Sequence, residues 1–265
     1  MATTEGAGEV SGNVLFYTQP EPLNVEAHGK FGVKRLDKPF AFAREAHLIP
    51  LTVAEFAVAA VAYPIIFVGD DYAPAAVMGL RPGENLFVEA DGTFDFDQYI
   101  PAFMRRVPFV FANDDAQQRM ILCIDRGSPI VDPNGGDIPL FENGQPTAYT
   151  QGVMQFCSEF EQERQRTTEF VKLLRDLDLF EVKKATFTPQ NPDGTAGEPQ
   201  TIAEYHGVSE AKLAELPADK LAELVKNGAI QQMYIHLNSL VNWDRLIARA
   251  LRRQQTAAND VAGNA

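Results

Sequence analysis

Leu51-Thr-Val-Ala-Glu-Phe-Ala-Val-Ala-Ala-Val-Ala62, followed at once by Tyr63-Pro-Ile-Ile-Phe-Val68, is the stretch on which the fold turns. Thr52 with Glu55 three residues on is a capping box: the hydroxyl accepts from an orphan N–H and the carboxylate reaches back to the backbone. A helix starts here. Pro64 cannot continue it, so it is expected to stop near Ala62. It is apolar nearly all round, which implies burial on more than one side. Residues 65–68 are a short strand-like run, and two more follow at 75–80 and 86–89. Gly-Asp-Asp, Arg-Pro-Gly-Glu and Asp-Gly supply the turn chemistry around them. Such close spacing leaves no room for helical crossovers, so the pairing is antiparallel. Residues 98–106 read as a short helix, and 109–112 and 119–124 as two more strands joined through Asp114-Asp115. The expected fold class is α+β, an antiparallel sheet of about five strands with packed helices.

Further along, residues 125–146 are rich in Gly, Pro, Asp and Asn and read as loop. From about 149 to 177, Val153, Phe156, Cys157, Phe160, Thr167, Phe170, Val171, Leu174 and Leu177 recur at helical spacing. Glu159, Glu161, Glu163 and Arg166 occupy much of the other face, which makes one long amphipathic helix. Residues 184–188 and 201–205 read as strands across a turn containing Asn-Pro-Asp-Gly-Thr. Pro217-Ala-Asp starts a helix that Asn227-Gly228 stops. A last helix is expected from 230 to about 251, burying Met233, Leu237, Leu240, Val241 and Ile247. Arg245, Arg249, Arg252 and Arg253 advance along its other side, either as helix-stabilising charge or as a docking face for an acidic partner. Residues 1–20 and 254–265 read as mobile ends of a single domain at 21–253.

The chain has 265 residues, 45% apolar and 22% charged, so a sizeable core is expected. Its net charge of −13 argues against nucleic acid or an anionic membrane as a partner. Residues 230–265 hold four Arg against two Asp, so the first 229 residues carry −15. The two cysteines, Cys123 and Cys157, are too few for a disulfide framework and fit a reducing compartment. The start of the chain has no secretory pattern, and the longest apolar stretch is broken at Tyr63-Pro64, far short of a membrane span. A cytoplasmic protein without membrane insertion is expected, its oligomeric state left open.

Several chemistries lack their residues. The four histidines, His28, His47, His206 and His236, have no second ligand at metal spacing, and no phosphate-cradling glycine motif occurs. No metal or cofactor is assigned. There is no Gly-x-Ser-x-Gly, and both cysteines fall in apolar runs. Asp125 could be a strand-end acid or a turn-former.

Two clusters stand out. Tyr99-Ile-Pro-Ala-Phe-Met-Arg-Arg-Val-Pro-Phe109 sets two adjacent arginines among aromatics and prolines. Guanidinium forks match carboxylates and phosphates, so a small anion or a peptide terminus can dock there. The plainer reading makes Arg105 and Arg106 salt-bridge partners for the abundant Asp and Glu of this acidic chain. Tyr234-Ile-His-Leu-Asn-Ser-Leu-Val-Asn-Trp-Asp-Arg245 holds the sole Trp, and is either a polar network over a pocket or the wet side of a helix. The candidate ligand-binding residues are Tyr99, Arg105, Arg106, His236, Asn242 and Trp243; none is assigned as catalytic.

Several blocks, in order, carry a family resemblance. They are the opening Leu51-Thr-Val-Ala-Glu-Phe with Tyr-Pro-Ile-Ile-Phe, then Gly-Glu-Asn-Leu-Phe-Val, the arginine cluster, Leu-Cys-Ile-Asp, Pro139-Leu-Phe-Glu-Asn-Gly, Asp178-Leu-Phe-Glu and Tyr-Ile-His-Leu-Asn-Ser-Leu. Across roughly residues 40–250 the chain resembles the SapC family. The family is named from a bacterial surface-layer locus. The resemblance implies neighbours such as TonB-dependent receptors and flavin-dependent tryptophan halogenases, and supplies no catalytic residues to carry over. The chain itself has neither the halogenase's dinucleotide motif nor a His-x-Asp/Glu iron triad. The expectation is a non-catalytic binding or accessory protein of a surface-related system, taking a small anion, a peptide or a protein partner. The alternative is an enzyme of unfamiliar type using Asp125 or His236 as acid or base.

Overall fold

The computed structural model describes residues 15–114, 119–189 and 193–263. The expected mobile start up to residue 14, Asp115 and Asn191-Pro192 of the expected turns, and residues 264–265 of the tail lie outside them. The chain forms two compact units, each built from separated segments: residues up to Phe42 with Asp91–Thr93 and Ala102–Gln162, and Ala43–Ala90 with Phe94–Pro101 and the chain from Glu163.

The second unit holds a five-stranded antiparallel sheet in the order Phe180–Phe187, Gln200–Val208, Ile65–Val68, Ala73–Val77, Leu48–Pro50. Five antiparallel strands were expected, but with other members. Of the five runs expected to form it, only 65–68 and 75–80 (here Ala73–Val77) take part; they are joined by the hairpin read at 184–188 and 201–205, here Phe180–Phe187 and Gln200–Val208. The run 86–89 makes a single bridge, Val88 to Phe94. Two of its carbonyls are taken by side chains, with Arg249 donating to Leu86 O at 2.7 Å and Arg253 to Val88 O at 2.7 Å, while Phe87 O accepts from the Asp95 N–H at 2.9 Å. Leu86, Phe87 and Val88 are all buried, so this segment threads the core.

The capping box forms, with Glu55 accepting from the Thr52 N–H at 2.8 Å. It opens a short 3-10 turn, Val53–Glu55, and a helix Phe56–Ala59, which ends a little before Ala62. Phe56 and Ala59 are fully buried while Val58 and Val61 are exposed, so the segment is one-sided and not buried all round. Phe56, Phe67, Phe170 and Phe180 meet edge-on against the sheet, with Phe67 and Phe180 ring centres 4.9 Å apart.

The helices after the sheet follow the local signals, with one break. Ala218–Lys226 follows Pro217, and Gly228 takes φ 78° as its stop, a left-handed geometry that glycine adopts at no steric cost. The expected last helix is two, Ala229–Ser239 and Asn242–Gly263, the second continuing through residues set aside as tail. Ser239 turns inward between them: its hydroxyl donates to His236 O at 2.6 Å and accepts from the Ile65 N–H at 2.9 Å. The buried stripe therefore follows Met233, His236, Ser239, Asn242, Trp243, Leu246 and Ile247, and Val241 is exposed.

The first unit is built on a three-stranded antiparallel sheet in which Arg119–Asp125 lies between Pro20–Pro22 and Phe109–Asp114. The expected strands 109–112 and 119–124 thus pair as read, but in a sheet of their own. Its apolar face gathers Phe109, Leu122, Ile124, Phe31, Val33, Leu140 and Cys157. The long helix runs from Ala148 to Asp176, within a residue of expectation at each end, its first part in this unit and the remainder in the second.

Candidate functional site

Arg105 ends a single helical turn, Ala102–Arg105, and Arg106 follows it; the last carbonyls close back so that the chain bends sharply into the strand at Phe109. The bend sends the two guanidiniums into different surroundings. Arg105 is exposed, its guanidinium carbon 5.1 Å from the Phe156 ring centre. Arg106 is 8% exposed and lies 4.1 Å from the Phe103 ring centre, 4.7 Å from Phe160 and 5.6 Å from Tyr17. Rings attract a desolvated cation through their negative faces. Burial nevertheless pulls the pKa of Arg106 below its ordinary value, against the opposing pull of Tyr17, Cys157 and the buried Glu161. The Arg106 Nε–H is buried and has no acceptor.

Both arginines line an open cleft of about 380 Å³, with Val107, Phe109, Ala148, Tyr149, Gly152, Val153 and Phe156. The long helix supplies most of this wall, beginning at its first turn. Thr147 caps that turn, its hydroxyl accepting from the Thr150 N–H at 3.3 Å. The arrangement offers guanidinium donors at one end and carbon along the other.

Tyr99, expected beside the arginines, belongs to the second unit. Its hydroxyl donates to Glu55 at 3.0 Å and its carbonyl accepts from the Tyr63 hydroxyl at 2.6 Å. His236, Asn242 and Trp243 lie in that unit too, all three buried. His236 is fully buried. Its Nδ1–H donates to Ile65 O at 2.8 Å and its Nε2 accepts from the Val208 N–H at 3.1 Å, clipping two neighbouring strands. Loss of solvation lowers its pKa to about 4, so the ring is neutral. Asn242 donates to Ala60 O at 2.7 Å and Tyr63 O at 3.3 Å, serving carbonyls at the end of the short helix. Trp243 is buried 5.7 Å from the Tyr205 ring.

Asp125 is buried and accepts at Oδ1 from the Gln19 N–H at 2.6 Å and the Gly127 N–H at 3.3 Å, and at Oδ2 from the Thr18 N–H at 3.1 Å. Burial pushes both cysteine thiols up to about 11, so each stays protonated at neutral pH. Among the described residues no three His, Cys, Asp or Glu converge as a metal site, and no helix is long and apolar enough to cross a membrane. Sequence reasoning missed Tyr149, Gly152 and Phe156 as walls of the cleft. The available signal was a glycine inside an otherwise strong helical period.

The sequence model of the SapC family matches residues 23–246. No curated protein and no solved structure matches the chain.

Proposed function

The chain belongs to the SapC family, and from that premise we propose that it is a non-catalytic binding protein whose ligand or partner docks through a negative charge in the Arg105–Arg106 cleft. The observation that carries this reading is Arg106, more than nine-tenths buried on the wall of an open cleft with one N–H unmatched. A buried donor without an acceptor costs about 1–3 kcal/mol, and more when charged. A ligand oxygen removes that cost. Acid–base chemistry has less support, because Asp125 and both nitrogens of His236 are occupied by internal hydrogen bonds. The family's surface-layer name and receptor neighbours favour a small anion, peptide or protein of a surface-related system. Two free, buried thiols fit a reducing cytoplasm.

Thermal-shift titrations of the full chain with acetate, inorganic phosphate and citrate test this. At least one anion should raise the melting temperature, and Arg105→Ala, at an exposed position, should lose the response. A response equal in the variant, or none to any anion, overturns the proposal.

A further inference from the structure

The strand Phe180–Phe187 is an end member of the five-stranded sheet and pairs only with Gln200–Val208. In an antiparallel pair, alternate residues spend their N–H and C=O on the neighbour, and the residues between turn theirs away. The Ser209 N–H donates to Leu179 O at 2.8 Å, in the same register that sets Phe180 opposite Val208. Leu179, Glu181, Lys183 and Ala185 therefore face the neighbour, and Phe180, Val182 and Lys184 turn their backbone outward. Among the described residues one bond is made on that side: the Lys212 ammonium donates to Phe180 O at 2.8 Å. At the other end the register shifts between Ala185 and Thr186, and the regular edge stops. Its outward groups thus run from Phe180 to Lys184 with Val182 at the centre, and that valine is 57% exposed.

An open edge is a template for another strand, and proteins guard it with charge. Lys183 and Lys184 do so here, because a strand without acidic side chains meets both ammonium groups as it docks. The strand carries its own answer in Glu181. When two copies lie antiparallel with Val182 on the two-fold, Glu181 of each stands opposite Lys183 of the other, in the closer kind of cross-strand pair. Glu181 already holds Lys183 of its own strand, so the charges alternate in sign around the axis. Lys184 then stands opposite Phe180. Placing the axis at Glu181, Lys183 or Lys184 instead sets like charges face to face, which is destabilising. The register free of that conflict also lets Val182 exchange both backbone bonds with its copy and covers its exposed side chain.

We propose that this edge is a homodimer interface: two copies pair antiparallel about Val182 and join their five-stranded sheets into one. A two-fold closes on itself, so neither copy keeps this edge open. The interface is separate from the Arg105–Arg106 cleft, whose residues belong to the first unit.

Sedimentation of the full chain over a range of concentrations is the test. A monomer–dimer equilibrium should appear with a Kd on the order of 10 μM, as suits a small interface. Glu181→Lys and Lys183→Glu each set like charges across the axis, and each should weaken the dimer by about tenfold or more. Mixed together, the two variants restore opposite charges at every facing Glu–Lys pair, so the mixture should associate as the unaltered chain does. That rescue separates pairing in this register from damage to the strand. Val182→Pro removes an outward N–H that the sheet does not use, at the kind of edge position that tolerates proline. It should abolish the dimer at an unchanged melting temperature, and the charge pair decides the matter even if proline unfolds the strand. A chain that stays monomeric at every concentration overturns the proposal and leaves the edge to an extended segment of another protein. Dimers that survive both charge reversals, or folded variants that fail to associate when mixed, overturn it as well.

Discussion

His236 is a titratable ring used as a structural clip, and its pH dependence follows from that use. Burial lowers its folded pKa to about 4, whereas a solvated histidine titrates near ~6.5. Between those values the unfolded chain takes up a proton that the folded chain refuses. The stability His236 contributes is therefore complete above pH ~6.5 and is lost as the pH falls toward 4. The loss is on the order of 3 kcal/mol. Urea midpoints should drop across this window, and His236→Gln should remove that part of the slope while lowering stability at neutral pH. A slope unchanged in the variant would assign the acid sensitivity to other groups. At the same scale, Arg253 donates to Asn85 O at 2.9 Å and Val88 O at 2.7 Å, so Arg253→Ala should cost about 1.5–3 kcal/mol. Its exposed neighbour Arg252 serves as the control, where alanine should change stability by no more than about 0.5 kcal/mol. Chemical denaturation of both variants checks the contrast.

At the scale of the element, the long helix shows a local cost kept where packing does not demand it. Gly152→Ala should stabilise the chain by about 0.5–1 kcal/mol, because the methyl enters open space and the helix loses a flexible residue. A rise in urea midpoint checks it; a fall would mean the position is more crowded than its geometry shows. The last helix carries the opposite lesson. Its arginines looked like a surface stripe, yet Arg245, Arg249 and Arg253 reach carbonyls of Val61, Leu86, Asn85 and Val88, and Arg249 pairs with Asp95. Arg249 and Arg253 take carbonyls of residues 86–89 that no neighbouring strand takes.

For the whole molecule, truncation tests how far the C-terminal helices belong to the second unit. Ending the chain at Arg253 keeps every arginine bond just named, and the exposed residues 254–256 contribute little, so the melting temperature should barely move. Ending it at residue 229 removes His236, Ser239 and Asn242, whose hydrogen bonds hold Ile65, Val208, Ala60 and Tyr63. That loss rivals the ~5–15 kcal/mol of a whole domain, and the fragment should fail to fold. A cooperative melting transition from a soluble 1–229 fragment would make these helices an appendage.

The sequence by itself determined the features whose physics is local. The Thr52–Glu55 box, the long helix to within a residue at each end, the stop at Gly228 and the antiparallel α+β class all rest on hydrogen bonds or periodicities spanning a turn or two. The Arg105–Arg106 pair was visible for the same reason, as adjacent charge set against an acidic average. Only the tertiary structure decided how the hairpins join into sheets, because partners distant in the chain are chosen by burial: His206 pairs with Phe67. It alone decided that His236 is a clip, since the carbonyl that fixes its ring lies 171 residues away. It alone made a cleft of Gly152, whose empty space exists only once Arg106 and Phe109 are brought to the helix that carries it.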